Sequence, residues 1–328
     1  MKALVKTAIS VELQDKPIPV PQKGYALVRV EYAGICHSDL SVISGKIGLN
    51  TRLPVTLGHE FSGLVVGCGD HNNSIWMNRR VCSETAYSMC GKCHYCIRGD
   101  YNLCKHKELI GYVHDGAFAE YIVVPVNRLH EIPSSIGFQE AVLWEPLACV
   151  CHAICLCDVD LEYLPVVLFG AGPVGLLVLQ IAKMYNAECY VVDPCEYRIK
   201  MARQLGAEEC YTDKEIHAML EEVCHVVVEC SGTSDAVTQG IRLLERLGTF
   251  IQIGLQPEPF PVPWSQIAYK ELTIRGSIGS IRSDWDFAGG LLKKFQLTPL
   301  VQTVYPLEDW QKALDSYGHE GFKILLRP

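Results

Sequence analysis

One short run, Phe169-Gly170-Ala171-Gly172-Pro173-Val174-Gly175, restricts what this chain can fold into more than anything else in it. It follows the β-branched stretch that starts at Val166 and opens an apolar, helix-length segment ending near Met184. Glycines at these spacings permit a tight turn, let backbone approach a pyrophosphate and allow a helix to pack closely on a strand, while the free amides of the helix start attract the anion. The next strand-like run, Cys189 to Val192, ends at Asp193, 18 residues after Gly175, where a carboxylate can accept hydrogen bonds from adenosine ribose hydroxyls. That charge also repels a 2′-phosphate. NAD(H) is therefore expected rather than NADP(H), with Arg198 nearby tempering the preference. Gly170, Gly172, Pro173, Val174, Gly175, Asp193 and Arg198 are the resulting cofactor candidates.

The texture around this loop extends the argument. Strand-like runs recur at Val166 to Phe169, Cys189 to Val192, Glu208 to Tyr211, His225 to Glu229, Thr249 to Ile253 and Leu272 to Arg275, with helix-length segments between them. Parallel neighbours need long right-handed crossovers, so the pattern predicts an α/β, doubly wound parallel sheet. Pro173 to Met184 is apolar nearly all round and should be buried, whereas Glu196 to Leu205 and Ser234 to Leu247 carry a polar face. Before about Ile132 the chain instead shows short alternating runs, such as Ala26 to Glu31, cut by Gly, Pro and Asn, which reads as β-rich. After Gly276 a helix from Trp285 to Phe295, a strand near Val301 to Val304 and a helix from Leu307 to Tyr317 are too poor in apolar residues for a third core. They are expected to pack back on the first half. Residues 1–146 and 286–328 would then form one domain and 147–285 the nucleotide-binding one, as befits a chain of 328 residues.

Sixteen cysteines would suggest a disulfide framework in a secreted protein. Met1 to Ser10 alternates like a strand and lacks the layout of a signal peptide, and the longest apolar stretch, Val166 to Ala182, is interrupted by Gly170, Gly172, Pro173 and Gly175. A cytoplasmic protein with no membrane segment is expected, in which clustered thiols bind metal. The segment CGKCHYCIRGDYNLC places Cys90, Cys93, Cys96 and Cys104 with two, two and seven residues between them, enough to close a tetrahedron on one zinc with no place left for water. Such a site is structural. With a formal charge of −8 and no basic block, nucleic acid is not an expected partner.

A second, dispersed set comprises Cys36 in GICHSD, His59 and Glu60 in LGHE, and Glu145 in WEPLAC. Each has an ordinary explanation alone: a buried thiol, a satisfied imidazole, a helix-initiating acid before Pro146. Beside a dinucleotide loop they acquire a purpose, because hydride transfer to or from a carbon needs an electrophile on the attached oxygen.

With these residues in hand, the chain resembles the zinc-dependent medium-chain dehydrogenase/reductase family over essentially its whole length. GICHSD, GHEFSG, the four-cysteine lobe, GAFAEY (Gly116 to Tyr121), EPLA (Glu145 to Ala148) and GAGPVG stand in the family's order and spacing. The resemblance implies a GroES-like catalytic domain plus a Rossmann domain. It makes Cys36 and His59 catalytic zinc ligands, with Glu60 and Glu145 binding the metal or its water. The Glu of EPLA is similar to the sorbitol and threonine dehydrogenase branch, where classical alcohol dehydrogenases carry a third Cys. Ser38 corresponds to the hydroxyl that takes the alcohol proton, and Asp39 would bond the His59 ring. The family often continues the proton path through a His three residues past that Ser, where this chain has Ser41. By the same resemblance Ser231 and Gly232 should border the adenosine half of NAD, Gly254 and Leu255 the nicotinamide ribose, and Ser277 and Ile278 the carboxamide.

The expected pocket wall, Ser38, Ser41, Ile43, Lys46 to Gly48, Phe118, Glu145 and Ser277 to Arg282, is rich in hydrogen-bonding groups. A wall of that kind favours a small hydroxylated substrate, since a site built to bond hydroxyls rejects analogues lacking them. A secondary hydroxyl of a polyol, sugar or cyclitol is expected, with a simple secondary alcohol, a threonine-type amino-alcohol or a non-catalytic NAD-binding relative as alternatives. Gly279-Ser280 stands where the threonine enzymes carry Gly-Arg. Relatives pair through the Rossmann sheet edge, so a homodimer or homotetramer is expected, with Thr249 to Ile253 and the segment after it as the candidate edge.

Overall fold

A computed structural model describes residues 1–45, 50–157, 159, 161–216, 222–256, 258–319 and 321–328. Lys46 to Gly48, expected in the pocket wall, lie outside the described residues. The chain divides into two compact units, Met1–Ala148 with Ser280–Pro328, and Cys149–Gly279. The second junction falls six residues before the expected 285/286 boundary. Trp285 explains the difference: it is 1% exposed, and its carbonyl accepts a 2.9 Å bond from the Trp144 indole, which ties this helix to the first unit.

In the first unit, strand Tyr25–Gly34 organises the larger sheet. Its inward residues Ala26, Val28 and Val30 alternate with partly exposed ones, the period-2 signature of a half-buried strand. It pairs antiparallel with Glu60–Cys68, with Tyr121–Pro125 and with Ile324–Arg327. The sheet continues outward on one side through Arg80–Ser83 and Leu129–Glu131, and on the other through Thr303–Pro306. A separate three-stranded sheet is centred on Lys2–Lys6. The core between them holds Leu4, Val28, Phe61, Val65, Phe118, Ile122 and Leu326, each 2% exposed or less. Burying side chains of this size contributes about 1.5–3 kcal/mol each.

The tail keeps the expected order of helix, strand and helix with bounds shifted by a few residues, and adds one element. Besides the helix Arg282–Leu291, the strand Thr303–Pro306 and the helix Trp310–Ser316, it ends in strand Ile324–Arg327, which the sequence pattern did not reveal. That strand lies between Tyr25–Gly34 and Thr303–Pro306 and so locks the tail into the sheet.

The second unit is a six-stranded parallel sheet in the spatial order Glu209–Tyr211, Glu188–Val192, Pro165–Phe169, Cys224–Glu229, Leu244–Gln252, Thr273–Gly276. Helix Pro173–Met184 starts with Pro at its first position, where no amide is needed, and buries Gly175 through Ala182 without interruption. The helix at Ser234 ends at Leu243, short of the expected Leu247. Leu244 already pairs with Cys224, and the next register pair is Val226 with Thr249, so residues 245–248 bulge out of the ladder. Thr249 to Ile253 is not the sheet's edge; Thr273–Gly276 lies outside it, and all four of its residues are exposed.

Candidate active site and metal centres

Strand register assembles the first donor cluster. Gly34 pairs with Glu60, so Cys36, two residues beyond one strand end, meets His59 and Glu60 at the start of its partner. Cys36 caps the helix His37–Ser44: its amide donates to Asp39 Oδ2 at 2.9 Å, and Asp39 N returns a bond to the Cys36 carbonyl. Asp39 Oδ1 faces His59 Nδ1 at 3.2 Å and fixes the ring's orientation. One ligand atom each from Cys36, His59 and Glu60 lie within 4.8 Å of one another. A thiol, an imidazole and a carboxylate are a donor set that suits zinc.

Glu60 carries a partner that sequence reasoning missed. Both of its oxygens accept from Lys323 Nζ, at 2.8 and 2.6 Å, and the pair is 1% and 4% exposed. Lys323 Nζ also reaches the Ile35 carbonyl at 3.3 Å. Burial alone would favour the neutral amine, but the Glu60 charge outweighs it and raises the Lys323 pKa. Burial likewise opposes charge on the His59 ring, and the adjacent Tyr112, Asp39 and Cys36 outweigh it, so its pKa stands well above the usual value. Tyr112, 4% exposed with its ring 5.5 Å from that of His59, is a second neighbour that the sequence did not single out.

Glu145 lies in the first turn of helix Trp144–Cys155 and is not part of the triad within 4.8 Å. Its Oε1 accepts from Thr85 Oγ1 at 2.8 Å. Burial raises its carboxyl pKa, with Glu60 adding to the effect and His59, Thr85 and Lys323 opposing it. Ser38 Oγ stands 3.5 Å from His59 Nε2. Ser41 is turned away: its hydroxyl donates to the His37 carbonyl at 3.2 Å. Phe118 is fully buried, with its ring close over Gly58, and belongs to the core rather than to an open wall.

The four-cysteine lobe is built by local turns. Gly91, at φ 69°, makes the tight turn between Cys90 and Cys93, and Cys93 starts helix His94–Arg98. A single 3-10 turn at Tyr101–Leu103 then delivers Cys104. The sulfurs of Cys93 and Cys96 are 3.5 Å apart, those of Cys104 and Cys90 3.6 Å, and those of Cys90 and Cys96 3.9 Å. A tetrahedron with metal–sulfur bonds near 2.3 Å has edges of about 3.8 Å, so the lobe fits one zinc as it stands. Backbone amides of Lys92 and Cys93 lower the Cys90 thiol to about 6, while burial and the neighbouring thiols push Cys96 up to about 12. All sixteen cysteines are free of disulfides.

In the second unit the glycine loop follows strand Pro165–Phe169. A Cβ at Gly175 would lie 1.8 Å from the Gly170 carbonyl, which only glycine avoids. At Gly172 the space is open, leaving a cradle for a close-approaching anion. Asp193 is 2% exposed; Oδ2 accepts from Ala171 N at 2.8 Å, and Oδ1 from Cys195 N at 2.9 Å. A carboxylate has about four acceptor positions, so these two bonds leave capacity for ribose hydroxyls. Arg198 Nη1 is 3.6 Å from Asp193 Oδ2.

Glu229, which the sequence reading placed only as a strand end, holds the neighbouring turns. Its Oε1 accepts from the amides of Ser231 and Gly232 at 2.6 and 2.8 Å, and also from the Ser231 hydroxyl; its Oε2 accepts from Gln252 Nε2 at 2.6 Å. Gly254 packs so tightly here that a Cβ would come within 2.4 Å of Glu229. An acid directly after the apolar run Val226 to Val228 is the available signal. Ser277 N donates to the Gln252 carbonyl at 2.9 Å, and Leu255 and Ile278 are 47% and 41% exposed. Ser231, Gly254, Leu255, Ser277 and Ile278 thus follow the carboxyl ends of adjacent parallel strands, where open α/β sheets bind ligands.

This geometry, a thiol–imidazole–carboxylate triad in one unit and a dinucleotide loop in the other, defines a class of zinc-dependent oxidoreductases. Residues 22–134 match the family described as alcohol dehydrogenase GroES-like domain, and residues 173–294 match that of zinc-binding dehydrogenase. The chain is 38% identical to a sorbitol dehydrogenase of Halalkalibacterium halodurans, covering 100% of this chain and 99% of the relative. It is 33% identical to a D-arabitol-phosphate dehydrogenase of Enterococcus avium, covering 92% and 89%. A solved structure from Sinorhizobium meliloti, described as a zinc-binding dehydrogenase bound to NADP, superposes with a TM-score of 0.92 at 27% identity, covering 100% and 99%. The chain belongs to the zinc-dependent medium-chain dehydrogenase/reductase family, and its likeness is to the sorbitol-dehydrogenase-like branch. Among the described residues no helix is long and apolar enough to cross a membrane.

Proposed function

We propose that this chain is a zinc-dependent, NAD(H)-linked oxidoreductase that interconverts a secondary hydroxyl of a polyol, sugar or cyclitol with the corresponding ketone. The observation that carries the reading is the buried meeting of Cys36, His59 and Glu60. Two relatives named for polyol substrates, sorbitol and arabitol phosphate, support the substrate class. In this reading Cys36 and His59 hold the catalytic zinc, Glu60 and Glu145 serve the metal or its water, and Cys90, Cys93, Cys96 and Cys104 hold a structural zinc. A zinc held by these residues would supply Lewis-acid polarisation of the substrate oxygen, and a nicotinamide held by the second unit would supply a hydride acceptor or donor.

The chain's own residues supply the rest. Asp39 keeps His59 in one orientation, so that Nε2 is the atom offered to the metal. Ser38 Oγ, beside that nitrogen, takes the hydroxyl proton from the substrate. The Ser41 hydroxyl points back into its helix and so does not extend the proton path from Ser38. Gly170 to Gly175 receive the pyrophosphate, Asp193 and Ser231 border the adenosine ribose, and Gly254, Leu255, Ser277 and Ile278 border the nicotinamide half.

Two zinc per chain are expected, one of them removable by a mild chelator with loss of NAD-dependent turnover. Unchanged turnover after that removal would refute the reading. A panel of polyols, cyclitols, short secondary alcohols and threonine then sets the substrate class; turnover of threonine alone would establish the amino-alcohol alternative instead. Asp193→Gly is expected to narrow the preference for NAD over NADP by at least about tenfold, because it removes a charge that repels the 2′-phosphate. Equal discrimination in parent and variant would refute the ribose role. The exposed edge strand Thr273–Gly276 supports a homodimer or homotetramer, and a one-chain mass by light scattering would exclude both. The free thiols fit a cytoplasmic location, where such groups stay reduced.

A further inference from the structure

Directly after strand Arg80–Ser83, Glu84 forms a buried polar hub separate from both donor clusters. It is 3% exposed, and its amide donates to the Arg128 carbonyl at 3.0 Å. Glu84 Oε2 accepts from Tyr101 OH at 2.6 Å and from Arg128 Nη1 at 2.9 Å. Glu84 Oε1 faces His130 Nε2 at 3.3 Å and lies 3.9 Å from Arg282 Nη1. The Arg128 guanidinium covers the Tyr101 ring at 4.7 Å. A buried carboxylate persists only when its acceptor sites are filled, and once filled it holds its partners rigidly.

Two of these connections end at functional elements. Tyr101 belongs to the four-cysteine lobe, three residues before Cys104. On the other side, Thr85, the residue after Glu84, donates to Glu145 Oε1 and anchors its own carbonyl on Ile110 N at 3.1 Å. The His130 ring stacks on Trp285 at 4.7 Å, and Trp285 in turn holds Trp144, the residue before Glu145. Glu145 is therefore located both through its carboxylate and through its backbone neighbour.

We propose that Glu84 and Thr85 couple the four-cysteine lobe to the catalytic centre: the closed lobe fixes Tyr101, Tyr101 and Arg128 fix Glu84, and Thr85 sets the Glu145 carboxylate on which the centre's hold on its metal depends. The inference rests on the proposed role of Glu145 toward metal or water. Thr85 is then a positioning residue. Its hydroxyl selects one of the rotamers open to a long acidic side chain, and hydrogen bonds of this kind to metal-site carboxylates change affinity by about 10–100-fold.

The test follows metal release from the two-zinc protein into excess chelator with a colorimetric indicator. The fast phase is assigned to the catalytic ion where it is lost in Cys36→Ser, and the slow phase to the four-thiol lobe. Thr85→Val keeps the side-chain shape without the hydroxyl and is expected to speed the fast phase by about 10–100-fold. Thr85→Ser restores the parent rate. Tyr101→Phe keeps the ring under Arg128 and is expected to quicken the fast phase several-fold while the slow phase is retained. The coupling is overturned if Thr85→Val releases metal at the parent rate, if Thr85→Ser is as impaired as Thr85→Val, or if Tyr101→Phe lowers only the melting temperature. A parent protein that keeps NAD-dependent turnover after the fast-phase metal has left would overturn the functional reading itself, which separates the two failures.

Discussion

Cys36→Ser is expected to lower turnover about a thousandfold or more while NADH still binds, as read by fluorescence titration. The variant is nearly isosteric, and Ser is a favoured residue at the start of a helix, so the cap at His37–Ser44 should survive. What is lost is the thiolate. A serine hydroxyl is a poor zinc ligand at neutral pH, and removing the electrophile takes away charge stabilisation for which single donors already contribute about 10²–10³ in rate. The cofactor candidates belong to residues 149–279, the unit that does not contain Cys36, so their affinity for NADH should be unchanged. Turnover within tenfold of the parent would remove the metal-assisted mechanism, whatever the fold.

The second large effect concerns stability. Lys323→Met leaves the Glu60 carboxylate, 1% exposed, with no cation against it. Removing one member of a buried ion pair costs about 3–5 kcal/mol, because the remaining charge stays desolvated. Denaturant unfolding of the metal-free protein should show that loss, and Lys323→Met combined with Glu60→Gln should recover most of it, since the orphaned charge is then gone. A single variant within about 1 kcal/mol of the parent would mean that water already reaches Glu60.

These two residues also mark where sequence reasoning stopped. Motifs that are local in the chain were legible: the glycine loop with Asp193, the cysteine lobe, and the strand–crossover rhythm of the second unit all depend on spacings within some thirty residues. Glu60 and Lys323 are 263 positions apart, and no periodicity announces that two such residues meet. The same holds for Glu84 with Arg128 and His130, which become partners only through the pairing of Arg80–Ser83 with Leu129–Glu131. The sequence pattern carries helix 234–243 on to Leu247 because residues 244–247 keep a helix-compatible apolar pattern, whereas pairing of Leu244 with Cys224 ends the helix and leaves 245–248 as a bulge in the ladder. Position in the chain puts Ser41 and Phe118 on a pocket wall, yet the Ser41 hydroxyl is satisfied by its own helix and the Phe118 ring is sealed by the turn at Gly58.

Strand Ile324–Arg327 has a practical consequence for anyone recombining this protein with its relatives. It sits beside Tyr25–Gly34, and the lysine just before it neutralises the acid next to His59, so the first 148 residues do not hold a finished site by themselves. A chimera that imports a relative's amino-terminal half must import that relative's carboxy-terminal segment too, or its transplanted glutamate will meet a foreign surface where its ammonium should be.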